Sequence, residues 1–190
     1  MINQGLKEYS KQITQTIGDV ATGHVNINKE AANLILEVPL LNSLGPNPMG
    51  ISLIYNHQKQ NEMSLFGKGF KLNTYQKINK TGSEIELISC DGSKEKFNKS
   101  DDIYKSNNSN LEIKENDNGY AYSIKDPMGN KAYYRASELN YPEKIEYINE
   151  QTIEFKNMEM SNGYDSIFKF EKDNAGVCSK IEYKQGEEPL

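Results

Sequence analysis

The hydrophobic and polar positions of the chain follow two different periods, one on each side of Gly23. Before this glycine, apolar residues recur every three or four positions, which places them on one stripe of an amphipathic helix. The pattern predicts one helix over roughly residues 3–17, with Asn3 as its N-cap. The stripe covers one end of a sheet, docks onto a partner or a following domain, or belongs to a segment that frays. Its members are Leu6, Tyr9, Ile13, Ile17 and Val20.

After Gly23 the period falls to two, which is typical of strands with one buried and one exposed face. Residues 25–28 alternate in this way. Residues 33–38 are predicted to form a strand with apolar surroundings on both sides that ends at Pro39, because proline cannot donate a ladder hydrogen bond. Later alternating segments are short and lie about 8–12 residues apart, which indicates an all-β meander. The predicted strands after Pro39 are residues 51–55, 70–78, 84–89, 94–97, 111–114, 120–124, 131–135, 144–148, 152–156, 166–172 and 177–183.

Acidic or amide residues followed by glycine separate these segments and predict hairpins. Asp91-Gly92 and Asn118-Gly119 each suit a two-residue turn, whose positive φ matches the strand twist. Residues 126–130 and 173–176 are longer turns of the same chemistry, each starting with an aspartate that can accept from the backbone two residues on. The expected fold class is therefore all-β, with sequential antiparallel β-hairpins and one short N-terminal helix. Parallel βαβ architecture is excluded, because its crossovers need helices that the pattern lacks.

The change of period also predicts two parts: a helix and linker over residues 1–23, and a β-hairpin domain over residues 24–190. The longest apolar stretch, residues 34–41, contains Glu37 and Pro39 and is far shorter than the ~20 residues of a spanning helix, so no membrane span is expected. The net charge of −5 argues against a nucleic-acid partner. The first residues lack the apolar core of a signal peptide, so the sequence itself leaves the localisation open.

Few side chains offer chemistry. Neither histidine has a second histidine or a cysteine at ligand spacing, so no metal site and no cofactor are predicted. Both cysteines are interpreted as packed thiols. Asp101-Asp102 is interpreted as a solvated loop rather than a carboxylate pair, because nothing nearby would desolvate it. The chain is therefore expected not to be an enzyme. The histidines and cysteines are His24, His57, Cys90 and Cys178.

The chain has twelve tyrosines, a larger number than any of its other aromatic residues. Tyrosine has an apolar ring and a hydroxyl that can stay in contact with water. It therefore fits a half-buried sheet face, and it also fits contacts with sugars and proteins. Packing is the favoured interpretation. The alternative is a glycan- or protein-binding module whose candidate binding patch is formed by Tyr120, Tyr122, Tyr133 and Tyr134.

A weak internal repeat joins an aspartate, a short turn with glycine, and a strand ending in an aromatic residue. Residues 168–183 resemble one unit of the RHS or YD-repeat family, and residues 126–134 resemble the Asp-Pro-x-Gly-Asn turn of that family. Upstream, Tyr55-Asn56, residues 67–70 and Asp91-Gly92 look like the segment that precedes the repeats. The resemblance covers approximately residues 25–183.

This resemblance implies a structural role. Proteins similar to this chain build β-hairpin ribbons that spiral into a shell, often around a C-terminal toxin or effector domain, among bacterial surface, secreted and intercellular-competition proteins. The implied partners are further repeat units or an effector domain, in the same or another chain, and the implied location is secreted or cell-surface. A ribbon that stops at Tyr183 leaves an unpaired strand edge, so self-association or a neighbouring domain is also expected.

Overall fold

The computed structural model describes residues 24–28, 33–42, 50–137, 140–162 and 166–185. Within them the chain forms eighteen strands and one 3₁₀ turn, His57–Lys59. The predicted N-terminal helix lies outside the described residues. The strands are β1 (His24–Asn28), β2 (Asn33–Asn42), β3 (Gly50–Asn56), β4 (Met63–Ser64), β5 (Gly67–Lys68), β6 (Phe70–Leu72), β7 (Gln76–Thr81), β8 (Glu84–Ser89), β9 (Lys94–Ser100), β10 (Ile103–Lys105), β11 (Glu112–Asp117), β12 (Tyr120–Lys125), β13 (Lys131–Tyr134), β14 (Lys144–Glu146), β15 (Thr152–Lys156), β16 (Glu159–Ser161), β17 (Ser166–Lys172) and β18 (Cys178–Gln185).

These strands form a four-stranded sheet in the order β1-β2-β3-β6, a small β4-β5 hairpin, and a twelve-stranded sheet that runs from β7 to β18. In the twelve-stranded sheet every strand pairs antiparallel with the next strand along the chain. The prediction of an all-β fold made of sequential antiparallel hairpins is confirmed.

The single strand predicted over residues 70–78 is wrong, because the chain changes sheets there. β6 pairs with β3 in the four-stranded sheet, whereas β7 begins the twelve-stranded one. The turn between them is held by two backbone hydrogen bonds: Asn73 donates to the carbonyl of Ser52 at 2.9 Å, and Tyr75 donates to that of Leu72 at 3.0 Å. No glycine or proline marks this turn, so the residue types that predicted the other turns do not reveal it.

Pro39 does not end β2, which continues to Asn42. The pairing of β2 with β3 shifts its register between Pro39 and Leu41, and such a bulge accommodates a residue that lacks a donor. Four strands, β4, β5, β10 and β16, were not predicted. Each has two or three residues, which is too short for an alternating pattern to stand out.

The twelve-stranded sheet has one apolar face and one charged face, as the alternation predicts. Residues paired across strands share a face, for example Ile85 with Phe97 and Ile113 with Ile124. On the opposite face lysines and glutamates form ion pairs across neighbouring strands. Their N–O distances are 3.0 Å for Lys96–Glu84, 3.6 Å for Lys94–Glu86, 3.7 Å for Lys105–Glu112 and 3.3 Å for Lys169–Glu159.

Strands β7 to β13 coil around their own apolar face, and we call this region the roll. Its first strand reaches its last: the hydroxyl of Tyr134 donates to Gln76 Oε1 at 2.8 Å, and the Gln76 N–H donates to the Asn140 carbonyl at 3.0 Å. The right-handed twist between strands accumulates into this coiling. The buried core of the roll comprises Ile78, Ile85, Leu87, Phe97, Tyr104, Leu111, Ile113, Ile124 and Tyr134.

Strands β14 to β18 form what we call the layered region, because residues on their apolar face share a second core with the four-stranded sheet. Ile51 of β3 and Leu72 of β6 belong to this core. Phe66 adds an edge-to-face contact with Phe170, with ring centroids 5.7 Å apart. The buried members of the second core are Ile51, Phe66, Leu72, Met160, Phe168 and Phe170.

Candidate functional site

Three motifs singled out in the sequence meet between β3 and the turn after β8. Tyr55 pairs with Phe70 across β3 and β6, and their ring centroids lie 5.0 Å apart. Asn56 is buried; its N–H donates to the Gly69 carbonyl at 3.0 Å, and its side-chain amide donates to the Asp91 carbonyl at 2.5 Å. A Cβ on Gly69 would lie 2.8 Å from the Tyr55 ring, so this approach requires glycine.

Gly92 completes this cluster, which we call the motif junction (Tyr55, Asn56, Gly69, Phe70, Asp91 and Gly92). A Cβ on Gly92 would lie 2.5 Å from Asn56 Nδ2, and its φ of +83° favours glycine independently. Beside it, burial and then the charge of Asp91 raise the pKa of the Cys90 thiol to about 12, which keeps the thiol protonated at neutral pH. The motif junction therefore joins the four-stranded sheet to the twelve-stranded one by packing and hydrogen bonds.

The same three-residue turn occurs four times in the twelve-stranded sheet. In each, the residue before the turn donates its N–H to the carbonyl of the residue after it, at 2.8–2.9 Å. The third turn residue has a positive φ in every case, which a glycine adopts most easily. The turns lie between Ser89 and Ser93, Asp126 and Asn130, Tyr147 and Gln151, and Asp173 and Val177.

The two predicted two-residue turns have different outcomes. Asn118 and Gly119 have φ of 52° and 81°, so this hairpin has the predicted two-residue turn. Asp91-Gly92 instead belongs to a three-residue turn in which, of these two residues, only Gly92 has a positive φ, so that prediction is wrong. Cys90 supplies the extra turn position.

The aspartates that begin the longer turns both accept backbone hydrogen bonds, but only Asp173 accepts from the residue two positions on, as predicted; Asp126 accepts from the residue four positions on. Asp126 Oδ1 accepts from the Asn130 N–H, and Asp173 Oδ1 accepts from the N–H groups of Ala175 and Val177, each at 2.9 Å. Asn130 Oδ1 also accepts from the N–H of Ile148 at 3.1 Å. This last bond ties two turns together at the same end of their strands.

Exposed apolar side chains occupy the tips of these two tied turns, a feature that sequence reasoning missed. The exposed fraction is 60% for Met128 and 75% for Ile148. A shallow groove of about 300 Å³ lies beside Met128 and extends to Asn110 and Lys125. The available signal was an apolar residue at a turn position, where polar residues are usual.

The four tyrosines of the candidate binding patch do not share one exposed face. Tyr134 is 0% exposed in the core of the roll, and burial raises its pKa. Tyr122 pairs with Tyr134 on the same face and packs against that core. Tyr133 points to the charged face and is 2% exposed; its hydroxyl donates to Glu146 Oε2 at 2.8 Å. Burial, then this hydrogen bond, raises the pKa of Tyr133 to about 12.

Tyr120 joins Tyr133 on the charged face, with ring centroids 5.0 Å apart. The Arg135 guanidinium carbon lies 5.4 Å from the Tyr120 ring centroid, and Lys144 Nζ lies 5.9 Å from that of Tyr133. Both distances are within the range of cation–π attraction. The structure thus brings together Tyr120 and Tyr133, and it separates both from Tyr122 and Tyr134.

A residue with a positive φ explains why the side chain of Tyr120 lies on the charged face, although alternation along β12 would place it on the apolar face. Asn116 has a φ of 53°, which reorients the end of β11 before the turn. Asp117 pairs with Tyr120, and its Oδ2 accepts from the hydroxyl of Ser123 at 2.8 Å, which places both residues on the face of Ser123. That hydrogen bond is the largest cause of the lowered pKa of Asp117.

One ion-paired group lies on the apolar face of the roll, where the sequence predicted none. Lys80 Nζ lies 2.5 Å from Glu115 Oε1, and the Tyr104 hydroxyl donates to Glu115 Oε2 at 2.9 Å. The hydrogen bond from Lys80 is the main cause of the lowered pKa of Glu115, and the same bond raises the pKa of Lys80. Lys80 and Glu115 are 35 positions apart, so only the coiling of the sheet brings them together.

The remaining chemistry-bearing residues are dispersed. His24 lies in β1, and His57 is exposed, with Nδ1 3.4 Å from the Tyr55 hydroxyl. Asp101-Asp102 forms an exposed two-residue turn, as its interpretation as a solvated loop required. Across the described ranges no three His, Cys, Asp or Glu side chains are grouped so as to hold a metal ion. A helix able to cross a membrane is likewise absent from those ranges.

Strand β18 is an edge of the twelve-stranded sheet. Among the described residues its only strand neighbour is β17. The first residue of β18 is engaged on another side, because the Cys178 N–H donates to the Leu65 carbonyl at 2.6 Å. Ile181 and Tyr183 on its apolar face are half-buried against the second core.

No family model matches the chain, and no curated protein matches it. The resemblance to the RHS or YD-repeat family therefore stays a prediction.

Proposed function

We propose that the chain is a non-catalytic structural segment of the RHS or YD-repeat kind. It would form part of a β-ribbon shell or scaffold linked to a bacterial toxin, effector or surface protein. The observation that carries the proposal is the twelve-stranded meander, in which each strand pairs with the next and one three-residue turn recurs four times.

The coiling of the roll supports a shell-forming ribbon. Across β7 to β13 the apolar face turns inward, and Tyr134 closes against Gln76. The opposite face carries ion pairs such as Lys96–Glu84. A ribbon with an apolar concave face and a charged convex face can form the wall of a shell, because curvature buries the apolar face and leaves the charged face in water.

The motif junction supports a role at the start of such a ribbon. It fixes the turn after β8 to the end of β3 through Asn56, which bonds to both Gly69 and Asp91. An unsupported hairpin is only marginally stable, so a ribbon gains from a sheet that holds its first strands. The four-stranded sheet supplies this support.

A hairpin appended to the chain tests the proposal. A second copy of residues 166–185 placed after Leu190 is expected to add to β18 as two further strands. Hydrogen exchange of β18 backbone amides should then slow by roughly tenfold or more, because added strand pairing protects exchanging amides. The exchange is measured by mass spectrometry on the full chain with and without the copy.

The matched control replaces the residues of the copy that correspond to Phe168, Phe170, Ile181 and Tyr183 with serine. This copy has the same length and turn but no apolar face, so it should leave β18 exchange unchanged. Equal exchange with both copies and without either would contradict the proposal that the ribbon accepts further repeat units.

A second candidate function rests on the stacked pair Tyr120 and Tyr133. They place aromatic surface on the otherwise charged face, beside Arg135. This arrangement favours a glycan- or protein-binding module. Calorimetry or a glycan array compares the wild type with Tyr120→Ala, since Tyr120 is the more exposed ring. Binding that Tyr120→Ala abolishes would support the module, and no binding by the wild type would count against it.

A further inference from the structure

We infer that the edge of β18 pairs antiparallel with β18 of a second copy of this chain, about a two-fold axis that places Tyr183 opposite the partner's Tyr183. This inference rests on the proposed function, because it names a partner for the strand edge at which the ribbon would grow. The interface is isologous, so each contact away from the axis occurs twice.

The edge of β18 has the length and the side-chain pattern that pairing with another strand requires. β18 is eight residues long and has one strand neighbour among the described residues. Ile181 and Tyr183 face the second core but stay half-buried, so an added strand would cover them further. Lys180 and Glu182 occupy the opposite face and form an ion pair with each other. Among the described residues no strand pairs with this edge after Cys178, and an edge of this kind is a template for another strand.

The charges of β18 select among the registers of self-pairing. A twofold register centred on Tyr183 puts Glu182 opposite the partner's Lys184, twice. A register centred on Glu182 would oppose Glu182 to itself and Lys180 to the partner's Lys184, and like charges directly opposite each other are destabilising. Opposite charges contribute about 0.2–1 kcal/mol per pair in a sheet.

One other register would also place opposite charges across from each other, but the observed contact of Cys178, the first residue of β18, excludes it. A register centred on Ile181 also opposes Lys180 to the partner's Glu182, but it needs pairing from residue 178 onward. The Cys178 N–H already donates to the Leu65 carbonyl. The register centred on Tyr183 uses residues 181–185 and leaves Cys178 in its observed contact.

Light scattering and sedimentation on the full chain test the association. The wild type should show a monomer–dimer equilibrium as its concentration rises to the millimolar range. Lys184→Glu should raise the dimer dissociation constant on the order of tenfold, because two attractive pairs become repulsive. The control Lys172→Glu makes the same change of charge on an exposed residue of β17 and should leave the constant unchanged. A wild type that stays monomeric overturns the inference.

Cysteine cross-linking tests the register. Tyr183→Cys should form an intermolecular disulfide under mild oxidation, because a residue on the two-fold axis meets itself. Glu182→Cys should not, and the wild type reports any background from Cys90 and Cys178, which are free. Equal cross-linking at both positions overturns the register. If the chain is monomeric but the appended hairpin protects β18, this inference alone fails; a dimer without that protection defeats the proposed function instead.

Discussion

The two halves of the twelve-stranded sheet share one hairpin pattern but bury their apolar faces differently. The roll closes on itself: nine of its core residues are buried, and two more are half-buried against them. In the layered region and the sheet packed against it, six core residues are buried and eleven are half-buried. Among the described residues, the same alternation thus gives a complete core in one half and a partial one in the other.

The difference shows that the turn residues determine which strands pair, whereas they do not determine how completely the apolar face is buried. Turns fix which strands pair, and both halves use the same three-residue turn. Burial depends on how far the sheet coils and on what covers it. In the roll, Gln76 reaches Tyr134, and the described core residues all come from the roll itself; in the layered region, Ile51 and Leu72 come from another sheet.

The largest expected effect is a difference in the free energy of unfolding between core substitutions in the roll and in the layered region. Phe97→Ala in the roll should lower the free energy of unfolding by about 3–5 kcal/mol, because the side chain is 0% exposed and its removal leaves a cavity. Phe155→Ala in the layered region should cost about 1–2 kcal/mol, since that ring is half-buried and its site can partly fill with water. Urea denaturation of both variants measures the difference. Equal losses would break the comparison.

A second prediction compares glycines at the same turn position in each half. Gly92→Ala should lower the free energy of unfolding by about 2–3 kcal/mol. The alanine would have to adopt a positive φ, and its Cβ would also displace the side chain of Asn56. Gly176→Ala should cost roughly 1 kcal/mol, since a Cβ there meets nothing within 4 Å and only the backbone strain remains.

The double variant Gly92→Ala with Asn56→Ala serves as the control. If contact with Asn56 causes the larger loss, the two changes should be less than additive in free energy of unfolding. Additive losses would show that the motif junction does not tie β3 to the turn after β8.

Much of the fold followed from the sequence, because turns and alternation are local. Asp126 and Asp173 cap turns where their spacing from glycine indicated. The change of sheet between Leu72 and Gln76 was missed, since it alters only the strand that each segment pairs with. Pairing partners are set by tertiary contacts such as the bond from Asn73 to Ser52.

The candidate site was less predictable. The spacing of Tyr133 and Tyr134 shows that they face opposite sides of a strand, but burial of Tyr133 depends on Tyr120, which Asn116 reorients. Nor does the sequence bring Lys80 to Glu115, because that contact needs the sheet to coil. Long-range curvature is a sum of small twists, which no local motif encodes.

A third prediction concerns pH and the ion pair inside the roll. The pKa of Glu115 is lowered from its ordinary value of 4.5, so its charge stabilises the fold above that value, and this stabilisation is lost as the pH falls through the lowered pKa. Glu115→Gln should cost under about 1 kcal/mol at neutral pH, because Lys80 is partly exposed. The difference from the wild type should shrink below about pH 4.5.

Denaturation across this pH range measures that loss. Glu159→Gln in the layered region is the control at neutral pH: it removes an exposed ion pair with Lys169 and should change stability little. A Glu115→Gln deficit that persists undiminished at low pH would show that the carboxylate charge is not the cause.

The smallest expected effect comes from the turn at residues 148–150, which is the only one of the four described three-residue turns without glycine. Glu150 stands at its third position with a φ of 66°, where an L-residue is strained. Glu150→Gly should raise the free energy of unfolding by about 0.5 kcal/mol, because relief of strain slightly exceeds the entropy that glycine adds to the unfolded chain. Asn149→Gly introduces the same residue one position earlier, where φ is not positive and Asn149 Oδ1 accepts from the Gln151 N–H, so it should destabilise. Opposite signs for these neighbours would show that this turn also acts through its third residue; equal signs would limit that rule to the three turns that carry glycine there.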